Sequence, residues 1–100
     1  MIVEISRFEH EGQVFILSRP APFSLTQVDD LWVYENEGLN LLGYSPNRDE
    51  ALKNLNEDFA NFYHEIALEK DENLEEKAAE MKRQFLDLLE SVFLPLGAKK

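Results

Sequence analysis

Apolar and polar positions divide the chain into two halves with different periods. In the first half, short apolar runs are broken by turn signals, which predicts strands. Ile2 to Phe8 and Gln13 to Ser18 flank Glu9-His10-Glu11-Gly12, a hairpin turn ending in glycine. Leu31 to Glu35 and Leu39 to Tyr44 enclose Asn36-Glu37-Gly38, a second hairpin. Between them, Pro20 and Pro22 interrupt RPAPFSLTQVDD and oppose regular ladder pairing there. Phe23 to Val28 is left as a candidate fifth strand, short and at an edge.

The second half changes to a helical period. From Asn47, apolar residues recur at Leu52, Leu55, Phe59, Phe62 and Ile66, in steps of three and four that trace one helix face. Asn47 with Glu50 forms a capping box, and Ser45-Pro46 offers an alternative start as N-cap and first turn. The polar stretch EKDEN breaks the period. Asn73 with Glu76 suggests a second cap, and Leu74, Ala78, Met81, Phe85, Leu88 and Val92 repeat the spacing until Pro95 and Gly97 stop it. The expectation is a single α+β domain over residues 1–100. An N-terminal antiparallel sheet of four or five strands fills 1–44, a two-helix hairpin on one face fills 45–94, and a tail fills 95–100.

Face counting points to apolar surface left over. In Gln13 to Ser18, Phe15 and Leu17 oppose Val14 and Ile16, and in Leu31 to Glu35, Trp32 and Tyr34 oppose Leu31 and Val33. Both faces are apolar, whereas a sheet wet on one side alternates apolar with polar. Helices on one face leave the other bare. In the second helix Leu86, Leu89, Phe93 and Ala79 widen the apolar stripe to nearly half the circumference. Phe15, Leu17, Trp32, Tyr34, Leu86, Leu89 and Phe93 are therefore the expected interface residues of a homo-oligomer, most simply a two-fold dimer.

Charge narrows the partners. Twenty acidic residues against ten basic ones give −10. Only Lys82-Arg83 and Lys99-Lys100 cluster among the cations, so direct nucleic-acid binding is not expected. A small basic protein suits the charge. No apolar run nears the roughly 20 residues of a membrane span, and MIVEISRFEHEG lacks the basic and apolar regions of a signal peptide. With no cysteine there is no disulfide or thiol chemistry, and a cytoplasmic setting is expected.

Candidate chemistry is sparse. His10 falls in the first turn. His64 lies on the first helix with Glu57 and Asn61, but Glu57 is about 10 Å away along the axis, too far to share a metal. Glu4 with Asp29 or Asp30 offers hard oxygen ligands for Mg²⁺ in phosphoryl chemistry, although adjacent strand residues point apart and the aspartate pair equally suits a turn. The four glycines are isolated, the serines have no visible base, and no phosphate, dinucleotide or zinc motif is present. No cofactor, catalytic residue or metal ligand is assigned.

One stretch does resemble a known pattern. In GYSPNRDEALKNLNEDF a strand leads through Gly43 and Ser45 to Glu50-Ala51-Leu52 and a long amphipathic helix. This is similar to the HicB-type antitoxin family over Gly43 to Leu68. The chain departs from that family by two extra residues within SPNRDE, by Asn36-Glu37-Gly38 where the family has Pro-Gly, and by a second long helix without a basic DNA-binding module. The resemblance implies a protein-binding habit in which an acidic domain masks a small basic ribonuclease toxin. The expected function is a self-associating, protein-interaction domain. The alternatives are an Mg²⁺-dependent phosphate-processing enzyme using Glu4 and Asp29 or Asp30, and a structural oligomer with no other ligand.

Overall fold

The computed structural model describes residues 1–93, so the helix stop at Pro95 and Gly97 and the 95–100 tail lie outside the described residues. Four strands come first: β1 (Ile2–His10), β2 (Gln13–Val28), β3 (Leu31–Asn36) and β4 (Leu41–Ser45). Helix α1 (Arg48–Phe62) continues into a π-helical turn, Tyr63–Ala67. Helix α2 (Glu76–Leu88) follows, and its end passes directly into β5 (Leu89–Phe93). The fold is α+β, an antiparallel sheet followed by two helices. The strands run in the order β1-β2-β3-β4, with β5 also paired to β2.

Tight turns set the register. Glu11 and Gly12 both have positive φ, as do Asp29 and Asp30, the pattern of two-residue hairpin turns whose twist matches that of the strands. His10 then closes on Gln13 and Val28 on Leu31. The prolines do not end β2. Pro22 stands opposite Glu4, and the pairing slips between Ile5 and Arg7, where β2 bends through Ser18, Arg19 and Pro20. Phe23 to Val28 is thus the far half of one long strand. It is flanked by β1 and β3, not placed at an edge.

The second helix is shorter than its period suggests. Leu89–Phe93 leaves the helix and pairs with Val14 to Leu17. Ser18 Oγ donates to the Leu88 carbonyl at 3.1 Å, fixing the point where helix becomes strand. The expected cap at Asn73 is displaced as well: Asp71–Asn73 forms a 3₁₀ turn, and Glu75 is the N-cap without a side-chain bond. At α1 the expectation holds, with Asn47 Oδ1 accepting from the Glu50 amide at 3.1 Å.

Both helices lie on one side of the sheet, over a core led by aromatic rings. Phe59 of α1 stacks on Phe8 with centroids 4.1 Å apart and meets Phe15 at 5.1 Å and Phe85 of α2 at 4.7 Å. Each ring pair adds roughly 0.5–1.5 kcal/mol beyond area burial. Helix α1 also closes the sheet margins. Leu42 N–H donates to Asp58 at 3.0 Å and Asn54 donates to the Tyr44 carbonyl at 2.9 Å, sealing β4. On the opposite margin, Glu9 N–H donates to Asn56 Oδ1 at 2.7 Å. Asparagine and aspartate are weak helix formers; here they satisfy strand groups that would otherwise be open to pairing.

Candidate interaction surface

Cross-strand partners share a face, so the register assigns every strand side chain to the helix side or the outer side. On the helix side lie Phe8 beside Phe15, Leu25 beside Tyr34, and Trp32 beside Ser45. On the outer side one row runs Ile2, Ser24, Glu35, Leu42, and the next runs Thr26, Val33, Tyr44. Val28 and Leu31 extend this face at the turn, and Phe93 joins it next to Val14 at the other end. Ile2, Val28, Leu42, Tyr44 and Phe93 are 42–64% exposed; the first four are spread over this face with Ser24, Thr26 and Glu35 between them, and Phe93 stands at the far end, beyond the bend in β2.

Apolar residues therefore do line the second face, and of the seven expected interface residues Phe93 is among them. Phe15, Leu17 and Tyr34 are buried under the helices and belong to the core. Trp32 is half-buried, with the Arg48 guanidinium 5.6 Å from its ring centroid, while Arg48 Nε donates to Tyr34 Oη at 3.4 Å. Leu89 packs against the core. Leu86 is exposed on α2, on the helix side, whereas Phe93 stands on the outer face, so the three do not form one edge. The strands alternate as expected, with the opposite phase: Phe15, Leu17 and Tyr34 face the helices. With both phases apolar, only a contact fixing one residue inward could decide, and that residue is Gly43, pressed against α1.

The remaining candidates do not converge. Asp29 and Asp30 make the β2–β3 turn, while Glu4 stands opposite Pro22, seven residues along β2 from Asp29 and thus about 20 Å away. The carboxylate set proposed for Mg²⁺ is not assembled. Among the described residues no group of three potential ligands comes together. His64 Nε2 lies 2.8 Å from Gln13 Oε1, tying the π-helical turn to the first hairpin. Ser45 Oγ accepts from the Asn47 amide at 3.2 Å, so Ser45-Pro46-Asn47 caps α1.

Among the described residues, no helix is long and apolar enough to cross a membrane. In comparison with known proteins, no family model, curated protein or solved structure matches the chain.

Proposed function

We propose that this chain is a protein-interaction domain that self-associates through the outer face of its sheet. A second role, masking a small basic partner with its acidic helical side, follows the HicB-type resemblance. The observation that carries the first reading is the outer face bearing Ile2, Val28, Leu42, Tyr44 and Phe93, which no helix among the described residues covers. Charge favours a second copy as its occupant. Glu4, Glu35 and the mutually paired Arg7 and Glu9 are the charged side chains among the paired outer-face rows of β1 to β4, while residues 48–88 carry twelve acidic against six basic side chains. Two molecules of charge −10 meet at least electrostatic cost face to face there.

Sedimentation equilibrium tests this reading. Tyr44→Asp should weaken the dimer by about tenfold to a hundredfold, since burying one large apolar side chain is worth about 1.5–3 kcal/mol and each 1.4 kcal/mol is tenfold. Leu86→Asp, on the other side of the molecule, should leave the dimer intact. A monomeric parent protein, or dissociation by Leu86→Asp alone, overturns the assignment.

A further inference from the structure

Among the described residues, the margin of β1 is sealed by a side chain only at its far end. Met1 and Leu25 exchange backbone bonds, with Leu25 N–H donating at 2.8 Å and the Met1 amino group at 3.4 Å. Antiparallel pairs alternate between bonded and non-bonded, so Val3 and Ile5 also bond inward and Ile2 and Glu4 turn their N–H and C=O outward. Pro22, which has no N–H, standing opposite Glu4 fits this phase. The outward groups of Ile2 and Glu4 have no side-chain partner among the described residues, unlike Glu9, which Asn56 covers.

Beside this open stretch α1 stands off from β1 and leaves a cleft of about 380 Å³. Val3, Ile5, Tyr34 and Leu52 give it apolar walls, and Lys53 stands at its side. Arg7, also lining it, is engaged by Glu9 at 3.3 Å. Lys53 has no carboxylate within ion-pair distance among the described residues, in a chain that carries twice as many acids as bases. Outward strand groups, an apolar cleft along them and a lysine outside any ion pair are the elements of recognition by strand addition, in which backbone bonds give affinity and alternate side chains give selectivity.

We propose that the open edge of β1 takes up an extended peptide segment of another protein as an added strand, with an apolar side chain in the cleft and a carboxylate facing Lys53. This site uses the backbone edge of Ile2 and Glu4, whose side chains stand at the margin of the outer face, and it does not depend on self-association.

The test is selection of displayed random nonapeptides on the full chain, followed by binding of the enriched peptides to two variants. Glu4→Pro removes an outward N–H without removing a bond of the β1–β2 ladder. Lys53→Glu reverses the charge at the cleft and leaves the backbone alone. Enriched peptides should alternate apolar with polar residues and carry an acid, and should bind Glu4→Pro about tenfold more weakly. Lys53→Glu should prefer the same peptides with lysine in place of the acid. The proposal fails if nothing is enriched, or if the peptides bind both variants as they bind the parent. It also fails if Glu4→Pro, but not Glu4→Ala, dissociates a dimer, which would make a second copy of β1 the occupant. Tyr44→Asp should leave peptide binding unchanged, which separates this result from that of the outer face.

Discussion

At Gly43 a missing side chain decides the orientation of a sheet. A Cβ there would lie 2.5 Å from the Ala51 carbonyl oxygen and 2.6 Å from Leu55 Cα, so β4 and α1 are in backbone contact. Gly43→Ala should force the helix off the strand, and overpacking of this kind costs about 1–3 kcal/mol or more. Urea unfolding should show a lower midpoint with an unchanged slope, while a midpoint equal to that of the parent would mean the contact yields. This glycine also explains how much of the surface was legible in the sequence. Alternation in LLGYS and LWVYEN is visible, but Trp32 and Tyr34 are as apolar as Leu31 and Val33, so nothing local says which pair faces the helices. Gly43 breaks the tie, because only the inward phase brings it under α1. Tyr34, its cross-strand neighbour, turns inward with it, and Leu42 and Tyr44 turn outward.

Elements were legible where local signals agreed and illegible where tertiary pairing overrode them. The turns at Glu11-Gly12 and Asp29-Asp30, the Asn47 cap and the stripe of α1 come from neighbouring residues. Strand β5 does not. Phe85, Leu88 and Val92 keep a helical spacing across the point where the helix stops, and only the vacant margin of β2 at Val14 to Leu17 draws Leu89–Phe93 into a ladder. Placement of α2 depends in turn on the connection before it. Lys82 reaches back from α2 to Asp71 at 2.8 Å and to the Glu69 carbonyl. The Lys82 ammonium holds the Asp71 carboxyl below its ordinary range, and bonds from the Asn73 side chain and the Lys70 amide do the same for Glu69. Both carboxyls have depressed folded-state values. Their contribution is therefore present above the ordinary carboxylate pKa of roughly 4 and is lost as pH falls through the depressed values. Hydrogen exchange of the Asn73 and Leu74 amides should accelerate on acidification relative to α1. In Lys82→Met it should already be fast at neutral pH, and slow exchange there would show that Lys82 does not hold the connection.

For the whole molecule, the distribution of apolar surface matters more than its amount. Among the described residues, a five-stranded sheet with both helices on one side buries one face and leaves the other open, and the net negative charge is shared between the sheet half and the helical half. Two modes of association then respond to salt in opposite directions. Copies joined through the outer face bring like-charged bodies together around an apolar contact. Screening should tighten that dimer several-fold as the Debye length shrinks from about 30 Å at 0.01 M salt to about 3 Å at 1 M. A basic partner masked by the helical side would be attracted by the same charge and released over the same range. Sedimentation of the parent protein across this salt series therefore reads which force holds the contact. A dimer that strengthens with salt supports apolar docking of the sheet faces; one that dissolves with salt assigns its cohesion to ion pairs and removes the outer face from that role.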